Sequence, residues 1–188
     1  MKRCLPALAA CLVVAGCVAP NPPTITSRDN ANALTEATRI SRLPQTRIAD
    51  LPTGSVTYNG KVGANVGGDL QGSMLGDMSM NVGFHTNTVR GSVTNLNLID
   101  QAGRPDQALG GNLAINGFED RGNISAGAGG TITGVAPGGS AFSSDVKLNL
   151  QGNVRDDRHR GDAVFGNVTG QALGDVNLGF DGVFFGKR

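Results

Sequence analysis

The stretch Met78-Ser79-Met80-Asn81-Val82-Gly83-Phe84 places a large apolar side chain at every second position, with small polar residues or glycine between them. A period of two belongs to a strand that rests one face on a core and wets the other. The same alternation recurs at Val146, Leu148 and Leu150 against Lys147, Asn149 and Gln151, and at Val176, Leu178 and Phe180 against Asn177, Gly179 and Asp181. Antiparallel sheets accept one wet face per strand, whereas parallel sheets are covered on both.

Working outward, strand patterns are predicted at 55–61, 70–75, 88–99, 109–118, 122–133 and 163–171. The 88–99 segment changes phase, because Val89 and Val93 share one face while Leu96 and Leu98 share the other; a bulge at Thr94 or Asn95 would reconcile them. Turn chemistry separates the segments at 65–68, 100–106 (Gly103, Pro105), 119–122, 137–139 and 155–162. The sum is about eight or nine strands at hairpin spacing, with no helical pattern after Thr53. A meander of that length must hide its edges, and closure into a barrel is the simplest way. The predicted class is all-β: an up-and-down antiparallel closed barrel of about eight strands over residues 54–188.

Glycine usage fits this fold, since 28 of the 29 glycines lie between Gly54 and Gly186. Many sit inside strand patterns (Gly72, Gly83, Gly91, Gly111, Gly152, Gly166, Gly170, Gly179), where they permit sharp coiling and close backbone approach. With 7 Phe, 1 Tyr and no Trp, the lumen is expected to be filled by Val, Leu, Ile, Met and Phe. A calcium-binding repeat helix is disfavoured because Gly67-Gly68-Asp69 stands alone, and a collagen-like segment because no three-residue period exists. A membrane barrel would need aromatic girdles that the few aromatics do not form.

Ahead of the barrel, residues 1–16 read as a secretory signal: Lys2 and Arg3, an apolar run from Leu5 to Val14, then small residues. The run ends in Val14-Ala15-Gly16-Cys17, which resembles the bacterial lipobox. That resemblance implies that Cys17 becomes the acylated first residue of the mature chain, and that Val18, not being aspartate, directs it to the outer membrane. Cys4 and Cys11 leave with the signal, so Cys17 is the one thiol that survives processing. The competing reading is an ordinary secretory signal with a stray cysteine. Residues 17–53 hold no glycine after Cys17 and five prolines. Residues 18–27 are expected to be an extended tether, and 28–43, with Ala33, Leu34, Ala37 and Ile40 at helical spacing, a short helix that stops before Pro44.

Three groups of residues carry a family resemblance. They are Ser41-Arg42-Leu43-Pro44 with Asp50-Leu51-Pro52-Thr53-Gly54-Ser55-Val56-Thr57-Tyr58-Asn59-Gly60; Met78 to Phe84 followed by Thr88-Val89-Arg90-Gly91-Ser92-Val93; and Phe180-Asp181-Gly182-Val183-Phe184-Phe185-Gly186-Lys187. Together they resemble the single barrel of transferrin-binding-protein-B-like surface lipoproteins. The resemblance implies an eight-stranded barrel beside a small handle-like segment, displayed on a lipid anchor. The chain departs from the family at Val164-Phe165-Gly166-Asn167-Val168, where a Phe-Tyr-Gly-Pro-like turn with acidic residues is usual. It also has room for one barrel only, so transferrin binding is not inherited.

Chemistry is sparse. No cysteine follows Cys17, which removes body disulfides, thiol catalysis and cysteine-based zinc sites. Without residues 1–16 the charge is 14 basic against 15 acidic, net −1, which gives no basis for nucleic-acid binding. His85 and His159 fall in predicted turns, and a metal or haem role is the sharper reading of each against a solvated turn. The carboxylate pairs Glu119-Asp120 and Asp156-Asp157 are adjacent in sequence and tend to point apart. Serines lack a nucleophile-elbow context and no phosphate loop is present, so no enzyme activity, cofactor or metal is expected. The expected function is a non-enzymatic binding module whose loops at 104–107, 119–121 and 155–162 hold a protein or a metal or haem carrier. The alternative is a periplasm-facing structural or protease-inhibitor-like lipoprotein that inserts residues 18–27 into a cleft.

Overall fold

The computed structural model describes residues 18–158 and 160–188; residues 1–16, expected to be a signal, Cys17 and His159 lie outside the described residues. The described residues form a helix α1 (Ser27–Ser41), a 3-10 turn (Ile48–Asp50) and nine strands. The strands are β1 (Ser55–Gly68), β2 (Gly72–Gly83), β3 (Thr88–Ile99), β4 (Pro105–Ala108), β5 (Leu113–Asp120), β6 (Asn123–Val135), β7 (Ala141–Arg155), β8 (Ala163–Gly174) and β9 (Leu178–Lys187). All pairings are antiparallel; chain neighbours pair except that β5 joins β3 past β4, and β9 returns to β1, which closes an eight-stranded up-and-down barrel with β4 outside it.

The alternation in the sequence survives as the inside and outside of the wall. Even-numbered positions of β1, β2 and β6 to β9 point inward. Tyr58, Met74, Met80, Ile124, Ile132, Leu150 and Phe184 are wholly buried there, alongside Leu96, Leu113 and Ile115 from β3 and β5. These side chains form one continuous apolar cluster that fills the lumen. Inward glycines make the room. Gly152 and Gly166 face each other across β7 and β8, and a Cβ at Gly166 would stand 2.5 Å from the Phe184 ring.

The phase change in β3 is a bulge, as its pattern predicts. Leu75 pairs with Asn97 and Asp77 with Thr94, so Gly76 alone faces Asn95 and Leu96. Asn95 takes φ +50°, and the extra residue returns Leu96 and Leu98 to the inward face.

Several boundaries differ from expectation. Residues 65–68 are not a turn but the end of β1, since Val66 continues the inward parity; the chain reverses at 69–71 instead. The patterns at 70–75 and 78–84 are one strand, β2, because inward Gly76 bridges the apolar positions without changing phase. The predicted turn at 100–106 ends in β4, and the predicted strand at 109–118 begins only at Leu113. There β5 takes over the pairing with β3 that β4 has left. The side-chain amide of Gln107 closes the gap at this handover, donating to the Val135 carbonyl at 2.8 Å and accepting from the Val135 N–H at 3.0 Å.

Helix α1 begins at a capping box: the Asp29 N–H donates to Thr26 Oγ1 and the Thr26 N–H to Asp29 Oδ2. It packs on the outside of the wall. Ala33, Ala37 and Ile40 cover Leu75, Ile99, Ala163 and Phe185, outward apolar residues that would otherwise be wet. Burying Ile40 contributes about 2 kcal/mol. Leu34, whose spacing put it on the same face, is 70% exposed; the two alanines let the helix lie close and turn Leu34 past the contact.

Candidate functional site

An up-and-down barrel sends alternate connections to opposite ends. The upper end carries the turn 84–87, the turn 121–122, the loop 156–162 and the lead-in segment 44–54. The lower end carries 69–71, 100–112, 136–140 and 175–177. Two of the three loops singled out in the sequence, 119–121 and 155–162, therefore meet at the upper end. The third, 104–107, belongs to the lower end as the start of β4.

At the upper end, part of the charge serves the scaffold. Asp157 is buried and accepts from Arg39 Nη1 of α1 at 2.7 Å. Arg39 also pairs with Glu36 at 2.9 Å, and Lys187 reaches Glu36 at 3.0 Å. Arg39 and then Lys187 hold the Glu36 carboxyl down at about 2. Arg155 lies over the Phe165 ring, 5.7 Å from its centroid, and donates from Nη1 to the Leu43 carbonyl. Together with the Thr46 N–H bond to Val154 O, this fixes the lead-in segment across the upper end of the barrel, where Leu51 packs on the core. Glu119 turns inward and is buried, accepting from the Gly122 N–H at 2.5 Å, while Asp120 points out. Each adjacent carboxylate pair thus divides: Glu119 and Asp157 are buried in the scaffold, while Asp120 is exposed and Asp156 is half-buried and accepts from Arg158 Nε at 3.1 Å. Burial pushes the carboxyl of Asp162 above the usual range, and burial also raises the Tyr58 phenol in the lumen beneath.

The exposed outer rim carries Arg121, paired with Asp120 at 3.9 Å, Arg158, paired with Asp156 at 3.1 Å, and Arg160, with His85 in the 84–87 turn. Two large apolar side chains are exposed at the same end. Phe118 on the outward face of β5 is 58% exposed, and Ile48 of the 3-10 turn is 64% exposed. Neither was picked out in the sequence. Phe118 was findable by parity, since Leu113, Ile115 and Gly117 share the opposite face; Ile48 had no periodic neighbours to reveal it. Aromatic and arginine side chains together are the usual composition of an interaction hot spot.

The lower end is different in charge and in contents. Asp69, Asp100, Asp106 and Asp175 stand there against Arg104. Residues 18–26, expected with Ser27 to be an extended tether, form no helix or strand, bend at 24–25 and lie on the barrel. The Val18 N–H donates to Gly139 O at 3.2 Å and the Ala108 N–H to Asn21 O at 3.0 Å. The Thr24 N–H donates to Asn97 Oδ1 at 2.9 Å, the Thr24 hydroxyl bonds to Asn95, and Ile25 is buried. The sequence hid this docking because Asn97 reads as an outward polar residue, whereas it is wholly buried under the segment it holds.

The chain matches no family model, no curated protein and no solved structure. Among the described residues, no group of three or more His, Cys, Asp or Glu is arranged to hold a metal ion. None of their helices is long and apolar enough to cross a membrane. His85 is exposed at the upper end with no acidic or thiol cluster around it, and His159 lies outside the described residues.

Proposed function

We propose that this chain is a lipid-anchored outer-membrane lipoprotein, acylated at Cys17, that presents a transferrin-binding-protein-B-like barrel as a non-enzymatic binding module. Its partner is a protein or a metal or haem carrier, held at the upper end. The observation that carries this reading is that Arg121, Arg158 and Arg160 share the upper end of a closed wall with the exposed side chains of Phe118 and Ile48. Loops fixed by a scaffold are where recognition is concentrated. The exposed arginines of this rim suit a partner with an acidic face, because complementary charge speeds and orients encounter. The alternative, an inhibitor that inserts residues 18–27 into a protease, has less support, since that segment is hydrogen-bonded along the barrel at Val18, Asn21 and Thr24.

The test is capture from serum and from envelope extract with immobilised residues 18–188. A specific partner retained by the parent and lost by the pair Phe118→Ala and Arg160→Glu supports the reading. Retention unchanged by those substitutions but lost when Asp106 and Asp175 become Asn would refute the upper-end assignment.

A further inference from the structure

We infer that the lower end of the barrel is a membrane seat, pressed on a zwitterionic lipid surface, so that the upper end stands away from it in a fixed direction. The inference rests on acylation of Cys17 as proposed above.

The argument is one of slack. A free tether of nine residues would have a root-mean-square reach of roughly 16 Å and would let the barrel tumble over the bilayer. Here the segment is held from its first described residue: Val18 to Gly139, Asn21 to Ala108 and Thr24 to Asn97. Cys17 is joined to Val18 by one peptide, a Cα separation of about 3.8 Å. Acyl chains on Cys17 must therefore enter the bilayer beside the 136–140 turn. Val18 is 50% exposed at that point, and Pro137 and Gly138 are exposed next to it. Around Val18 the exposed groups are small or apolar, Val18, Pro137 and Gly138, and the carboxylates elsewhere on the lower rim exclude an anionic surface as the preferred seat. The 15 residues of β7, at about 3.3 Å each and tilted by about 40°, set the two ends roughly 35 Å apart.

The test uses the full acylated lipoprotein in phosphatidylcholine vesicles, with an environment-sensitive fluorophore on Ser140→Cys at the lower end or His85→Cys at the upper end. The quencher is a nitroxide on the lipid headgroup, and intact mass reports acylation of Cys17 in the same sample. The seat predicts several-fold stronger quenching at position 140 than at 85, and weaker quenching at 140 when a third of the lipid is phosphatidylglycerol at low salt. Inserting Gly-Ser-Gly-Ser-Gly-Ser between Cys17 and Val18 leaves the barrel contacts intact and restores slack, so the difference between the two positions should collapse. Acylated protein with equal quenching at both positions overturns the seat and leaves the anchor standing. Protein that carries no acyl mass overturns the anchor and the seat together.

Discussion

Replacing Gly182 by alanine puts a methyl group where the neighbouring strand already runs. Its Cβ would lie 2.1 Å from the Gly63 carbonyl oxygen and 2.5 Å from Ala64 Cα. Both are backbone atoms, so no rotamer change can relieve the overlap. Restoring an ordinary contact means moving β9 from β1 by about 1 Å at the pair Ala64 and Gly182, which loosens one or two ladder hydrogen bonds at about 1 kcal/mol each. Overpacking of the lumen adds a further 1–3 kcal/mol or so, for a total near 3 kcal/mol. Gly179, three residues earlier on the same strand, faces outward with nothing within 4 Å of its Cβ position. There alanine stabilises by about 0.5 kcal/mol through the unfolded chain. For a protein of this size each kcal/mol moves Tm by roughly 2–4 °C. Thermal and urea unfolding followed by circular dichroism should show Gly182→Ala down by about 6–12 °C and Gly179→Ala up by about 1–2 °C. Equal shifts in the two variants would refute the claim that inward glycines permit this coiled, filled wall.

Three further outcomes follow from the same contacts. Ile40→Ala removes the wholly buried anchor of α1 and should cost about 2–4 kcal/mol, measured by urea unfolding; a loss under 0.5 kcal/mol would mean the helix is not part of the cooperative unit. The Glu36 carboxyl sits at about 2 against an ordinary 4.5, so its contribution is complete above pH 4.5 and is lost as pH falls through 2. Glu36→Gln should lie below the parent by about 1 kcal/mol at pH 6, after allowance for solvent at the pair, and converge with it near pH 2. A constant difference across that range would contradict the ion-pair assignment. Asn95→Val places a branched side chain at φ +50° and should destabilise by roughly 1–3 kcal/mol, whereas Asn95→Gly should cost less; the reverse order would remove the bulge from the explanation of β3.

The barrel was legible because its signal is repeated: a two-residue period keeps the same parity through each strand, and the one break, at Asn95, announces its own bulge. Even the grouping of loops could have been reached from the meander alone, since 119–121 and 155–162 are separated by two strands and must share an end. What the sequence could not display was polar side chains acting in place of backbone. Gln107 closes a gap between strands and Asn97 binds the 18–26 segment, and both read as ordinary solvent-facing residues. Leu34 misled in the opposite sense: its spacing is helical and apolar, but two alanines set the depth of the contact and leave it outside. The upper rim proposed for binding was half visible, its charges apparent as a run and its exposed apolar residues, Phe118 and Ile48, set apart from that run in the chain.

Site-specific photo-crosslinking of the full chain in its own cell envelope, with the photoreactive residue at Arg160 in one strain and at Asp175 in another, tests the proposed upper-end binding most directly. A discrete partner adduct from position 160 and none from 175 is the predicted result. A partner adduct from 175 alone would contradict it.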